Sequence, residues 1–191
     1  EYAVSTDSDI FVYDLASGKT QNICKGNKQY AFVGYDKYPV WSADDSRIAF
    51  TSMRRDGNES DKSRLMVYSF ADGSIVDLTR NFDYNADNIV WDSENSVLFV
   101  SPIEATHQVC RVDLEGTVEV VTSGDHDLSG ISLAEGRCVV SKQSISQAAE
   151  LNLVSLADGA LTPVTDVNAA IYASVKMGEV RKLWIPTTDG K

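Results

Sequence analysis

The chain has 191 residues, 43% of them hydrophobic, with 28 acids against 17 bases for a net charge of −11. That length allows one substantial core or two small ones, and the acid excess argues against a nucleic-acid surface, whose phosphates need clustered Lys and Arg. No apolar run approaches the ~20 residues of a membrane-spanning helix, so neither nucleic acid nor membrane is an expected partner.

The chain opens on Glu1, and its start, EYAVSTDSDIFVYD, has neither the basic region nor the apolar core of a signal peptide. It reads as an internal piece of a longer protein. Residues 10–15 (IFVYDL) predict a strand rich in β-branched and aromatic residues, turned at Ser17-Gly18 and returned over 20–24. A polar loop is expected over 25–37. Residues 39–50 (PVWSADDSRIAF) place a tight polar turn between two short apolar runs. Asp and Ser accept turn geometry by bonding their own backbone, so this is the mark of a hairpin with buried strands.

A long charged loop, 53–63 (MRRDGNESDKS), leads to strands at 65–70 and 75–78 around Asp72-Gly73. The pattern then restarts with 88–100 (NIVWDSENSVLFV), followed by strands at 108–114 and 118–121 around Glu115-Gly116. A third round uses 128–133, 138–142, 150–156 and 161–164, with its last turn at Asp158-Gly159. Final strands are expected over 169–175 and 180–185. The only helix candidate, Ser144 to Glu150, is too short to stand alone.

The repeat can be counted. Gly73, Gly116 and Gly159 are 43 residues apart, and so are Thr79, Thr122 and Thr165. Trp41, Trp91 and Ile131 take the matching place in each first strand. Four strands in about 43 residues is the period of a β-propeller blade. The expected fold is therefore all-β: a partial β-propeller of about three full four-stranded blades, with part-blades at both ends. Blade remnants fall at 9–24, full blades at 36–79, 87–122 and 128–165, a further strand at 168–175, and an exit strand over 177–191. Trp41, Trp91 and Trp184 lie in apolar strands and are expected to be packing residues.

Here the residues carry a resemblance. PVWSADDSRIAF resembles the TolB-like propeller repeat, usually W-S-P-D-G-x-x-I-A-F, with Ala43 in place of Pro and Asp45 in place of Gly. The stretch from Phe50 to Thr79 and the tail MGEVRKLWIPTTDGK resemble the propellers of prolyl-oligopeptidase-family serine peptidases, in the dipeptidyl-peptidase and acylaminoacyl-peptidase branch. That resemblance implies a propeller that gates and orients short peptides for an α/β-hydrolase domain following the exit strand, in a periplasmic or alternatively cytoplasmic parent. The alternative is a non-enzymatic TolB-like scaffold that binds protein partners. The family's hydrolase carries a Ser–Asp–His triad with the Ser in G-x-S-x-G. No G-x-S-x-G occurs here, and His107 and His126 lie outside the family's catalytic context. By itself the chain is not expected to hydrolyse peptides, and no catalytic residue is assigned.

The candidate substrate-binding residues are Arg54, Arg55, Asp56 and Glu59 in the charged loop, where a carboxylate could hold a free amine and an Arg a carbonyl or carboxylate. The competing reading is a solvated loop whose charges pair locally. Asp125-His126-Asp127 combines ligand types, but adjacent residues without a second cluster read as a turn, so no metal and no cofactor is expected. Cys24, Cys110 and Cys138 match no zinc or disulfide spacing and are expected to be buried strand residues. An open partial propeller would expose sheet edges and apolar faces, so self-association is expected.

Overall fold

The structure is a computed structural model that describes residues 5–25 and 34–190; most of the loop expected over 25–37, and Lys191, lie outside the described residues. Strands β1 (Phe11–Tyr13) and β2 (Thr20–Asn22) form a separate antiparallel pair. Strands β3 (Tyr35–Trp41), β4 (Arg47–Met53), β5 (Arg64–Ser69) and β6 (Ile75–Asp77) form a four-stranded antiparallel meander. A second meander contains β7 (Asp87–Ser93), β8 (Ser96–Ile103), β9 (Thr106–Asp113) and β10 (Val118–Val120). A third contains β11 (Asp127–Ala134), β12 (Arg137–Ser144), β13 (Gln147–Val154) and β14 (Leu161–Pro163). One parallel pairing, Asp127 with His107, joins the second and third meanders.

The meanders stack face to face, and the strand periodicity of two sends alternate residues into different layers. From β4, Ile48 and Phe50 pack with Ile10, Ile23 and Cys24 of the β1–β2 pair and its flanks, whereas Ala49 packs with Ile89, Trp91, Val97 and Phe99 of the second meander. From the second meander, Leu98 and Val109 turn the other way, onto Leu128, Cys138, Val140 and Val154. A strand covered on both faces reads as a continuous apolar run, and residues 48–52 and 97–101 are all buried.

Each inner strand carries the same irregularity. The registers shift between Lys37 and Val40, between Asp87 and Val90, and between Ser129 and Ser132. Tyr38, Asn88 and Gly130 take left-handed φ values of 55°, 49° and 62° inside these bulges, and Pro39, which has no N–H to donate, sits in the first. Counting from the bulge makes Leu133, paired with Cys138, the counterpart of Trp41 and Trp91; the sequence spacing had pointed to Ile131. The periodic threonines share one task. Leu65, Val109 and Leu151 each donate their backbone N–H, at 2.9 Å, to Oγ1 of Thr79, Thr122 and Thr165. Each clasp fixes the end of an outer strand to the third strand of its meander.

Three expectations are corrected. Trp41 is 46% exposed and stacks on Phe70, outside the cluster in which Ile48, Phe50 and Met66 pack with Ile10, Ile23 and Cys24. The strand expected over 168–175 is instead a short helix, α1 (Ala169–Tyr172), and 177–190 forms no strand, with Trp184 73% exposed. A strand needs a ladder partner, which these residues do not meet. Ser144 to Glu150, set aside above as too short for a helix, lies in the β12–β13 hairpin.

Candidate functional site

Antiparallel order sorts the connections to two ends. One end carries the tight turns after β1, β3, β5 and their counterparts. The other carries the long loop 54–63, the β8–β9 and β12–β13 hairpin tips, and the junctions 78–86 and 121–126. This long-loop end is the candidate site.

The charged loop is tied down along its length. Asp56 accepts backbone N–H bonds from Thr6 (2.6 Å) and Asp7 (3.0 Å) and the hydroxyl of Ser5 (3.0 Å), and the Thr6 hydroxyl receives the Gly57 N–H at 2.9 Å. These donors, the Thr6 amide first, hold its carboxyl below the usual value of 3.8. Arg55 forks onto Asp61, with Nε 2.9 Å from Oδ1, and Asn58 donates to the same carboxylate at 2.8 Å. Lys62 reaches over to the carbonyls of Thr79 (2.8 Å) and Phe82 (2.6 Å) and locks the loop to the next junction. Of the four residues singled out from sequence, Arg55 and Asp56 hold the loop and the N-terminal segment in place. Arg54 and Glu59 are exposed on the same loop.

Among the described residues, one group of three potential ligands converges: Asp9, Cys24 and Asp36, with donor atoms within 4.8 Å of one another. Asp9 is committed to Lys25 at 2.9 Å and Asn22 at 2.9 Å. Burial pushes the Cys24 thiol strongly up, so it sits there as a protonated thiol that accepts the Ile10 N–H at 3.4 Å. Cys110 and Cys138 are buried and free as well, with the Cys110 thiol pushed up to about 12 by burial.

A cleft of about 290 Å³ lies at this end between the two hairpin tips, the 121–126 junction and the tail. Its floor includes His126, which is 8% exposed and whose Nε2 has no hydrogen-bond partner. Gly124 closes over one edge of the ring: a Cβ there would lie 2.7 Å from Cε1. Burial first, and Lys142 second, push the imidazole below its usual 6.5, against Asp127 and Asp125. Beside it, His107 Nδ1 lies 2.7 Å from Asp127 Oδ1. On the opposite wall Lys182 Nζ lies 3.4 Å from Glu104. Glu104 and Ala105 both take left-handed φ, 48° and 64°, as a two-residue hairpin turn requires, although Asn-Gly is the usual occupant. Sequence reasoning dismissed His126 as part of a turn and missed Glu104. The unusual Glu-Ala tip was the available signal for the latter.

No family model matches the sequence. The dipeptidyl-peptidase 5 of Porphyromonas gingivalis is 36% identical over 191 residues, 99% of this chain and 27% of that protein. The chain thus spans about a quarter of the length of the curated relatives it matches. Among solved structures, the Pyrococcus horikoshii acylaminoacyl peptidase superposes with a TM-score of 0.69 at 21% identity, over 91% of this chain and 25% of that one. The β-propeller domain of the Trilobed protease from Pyrococcus furiosus does so with a TM-score of 0.63 at 19% identity, over 84% of this chain and 46% of that one.

Proposed function

We propose that the chain is a stretch of propeller from a prolyl-oligopeptidase-family serine peptidase of the dipeptidyl-peptidase and acylaminoacyl-peptidase branch, and that it gates and orients short peptides for a hydrolase domain elsewhere in its parent protein. The observation that carries this reading is the 36% identity to a dipeptidyl-peptidase along 99% of the chain. In this reading the three meanders are three blades, β1–β2 are the outer half of a preceding one, and the parent works in the periplasm on short peptides.

The mechanism is selection. A rigid rim admits an extended chain end and excludes folded polypeptide, so discrimination comes from size and from the orientation of charge. The long-loop end suits that task, because Lys62, Asp56 and the Arg55–Asp61 fork brace a rim on which Arg54, Arg55, Asp56 and Glu59 are all exposed. All four are candidates for contact with a peptide, and Arg54 and Glu59 are the two that can be changed without cutting the Asp56 and Asp61 contacts.

The test is made in the full-length parent. Arg54→Glu and Glu59→Lys should change the dependence of kcat/KM on peptide length and end charge by about tenfold, the effect of one charge-assisted contact. Asp56→Asn would confuse the experiment by releasing residues 5–7. An unchanged length profile in both exposed variants removes the gating role.

A further inference from the structure

Strands β1 and β2 repeat β5 and β6 bond for bond. Ile23 donates its N–H to the Ile10 carbonyl and Asp14 to that of Lys19, as Leu78 does to Leu65 and Ser69 to Ser74. Gly18 and Gly73 close the two turns with φ of 68° and 70°. Antiparallel bonding alternates along a strand, so Phe11 and Tyr13 turn their N–H and C=O groups away from β2. In β5 the matching residues, Met66 and Tyr68, pair with Phe50 and Ile48 of β4. Among the described residues β1 has no such neighbour, since its sheet holds only β1 and β2. The inner edge is open too. Trp91 donates its Nε1–H to the Val40 carbonyl of the preceding meander at 3.1 Å. Trp41, its counterpart, pairs across with Ile48 on the face toward β1–β2 and is 46% exposed where Trp91 is 9%. The chain's own repeat thus describes what fits this edge: a hairpin built like β3–β4.

We infer that the β1 edge and Trp41 form a docking site for a β-hairpin of the parent protein, in the stretch that leads into Ser5. Strand direction fixes this occupant. A segment that enters the third strand of a meander leaves the second strand at the same end, as 54–63 does between β4 and β5. Residues 5–8 enter β1 in that way, and Ser8 bridges to Tyr35 in the parallel sense, as His107 bridges to Asp127. The hairpin's second strand therefore ends just before Ser5 and pairs with Phe11 and Tyr13. Asp56 grips the connection by its bonds to the Thr6 and Asp7 amides. The first strand offers Trp41 Nε1 the carbonyl that Val40 offers Trp91. The chain spans 27% of the Porphyromonas gingivalis relative and matches 46% of the Pyrococcus furiosus propeller domain, which leaves room for the hairpin outside it. An unpaired edge accepts any extended backbone that reaches it, and the segment joined to Ser5 reaches it first. The site rests on reading β1–β2 as the outer half of a blade.

The test is hydrogen exchange, read residue by residue in the dilute 191-residue chain and in the full-length parent. The Phe11 and Tyr13 amides should exchange about a hundredfold more slowly in the parent, as bonded edges do, with Val12, which faces β2 in both, as the internal reference. Equal rates in the two proteins overturn the site. A benzophenone amino acid placed in the parent for Trp41 then identifies the occupant. It should crosslink within the ~43 residues before Glu1, one blade period. A crosslink to any other part of the parent, or to a second molecule, overturns the assignment to that hairpin. Neither readout uses peptide hydrolysis, so a failure here leaves the gating reading standing, and an unchanged length profile in the gating experiment leaves this site standing.

Discussion

Two glycines with the same backbone show how one residue can be decisive or incidental. Gly136 and Gly159 both have φ of 73°. A Cβ at Gly136 would meet nothing within 4 Å, whereas at Gly159 it would lie 2.0 Å from the carbonyl oxygen of Val121, in the preceding meander. Gly136→Ala should cost about 1–2 kcal/mol of left-handed strain. Gly159→Ala adds a backbone collision and should cost about 3 kcal/mol. Urea midpoints read the difference; equal losses would mean that the β13–β14 turn does not hold the layers together. His126 gives a second residue-scale expectation. Its folded-state pKa is depressed below 6.5 by burial and Lys142, against Asp125 and Asp127. Stability should therefore be full above pH 6.5 and fall as the pH drops through the window just below it, because the unfolded chain then binds the extra proton. The carboxylates held below 3.8, such as Asp56 and Asp61, act only at lower pH. Denaturation at pH 7.5 and 5.5 should show the loss in the native chain and a smaller one in His126→Gln; identical losses would place the titrating group elsewhere.

At the scale of the element, the threonine clasp is the device that makes the repeat. Thr122 is 1% exposed, accepts the Val109 N–H at 2.9 Å and donates to Gln108 Oε1 at 2.8 Å. Thr122→Val keeps the shape and orphans both groups in the interior, so it should cost about 3 kcal/mol. Thr165→Val should cost less than about 1 kcal/mol, because its partner Leu151 is 45% exposed and water can replace the bond. Thermal melts of the two variants check the contrast, and similar melting points would deny the clasp its role. The spacing of these threonines was legible in the sequence, as were the turn glycines and the order of the strands, since period and turn chemistry are local. The bulges were not read. Gly130, an isolated glycine inside a strand, was the local signal for the third, and without it the match to Trp41 fell on Ile131 rather than Leu133. The tail also misled, because apolar residues at 180–185 suit a strand but a strand exists only beside a partner. For the site, composition found the charged loop, while the cleft depends on Glu104 and Lys182 meeting from distant parts of the chain.

The whole molecule shows where its packing stops. β4 and β8 are buried on both faces, but in β12 only Cys138 and Val140 are buried, and in β13 only Asn152 and Val154. That alternation means the third meander is covered on one side, and Leu151, 45% exposed, looks outward. At the opposite end of the stack Trp41, 46% exposed, lies stacked on Phe70 at 5.2 Å. Two apolar faces at opposite ends of one stack are complementary in character, and a head-to-tail contact between them buries both. The chain should therefore associate as its concentration rises, with light scattering giving masses above 20.9 kDa. Trp41→Lys should weaken association while leaving the melting point nearly unchanged, since Trp91 forms the inner contact through its bond to the Val40 carbonyl. Emission should shift to shorter wavelength on association in the native chain, as Trp41 leaves water, and not in the variant. A monomer at every concentration, with no binding of a hydrophobic dye, would show that these two faces are content in solvent.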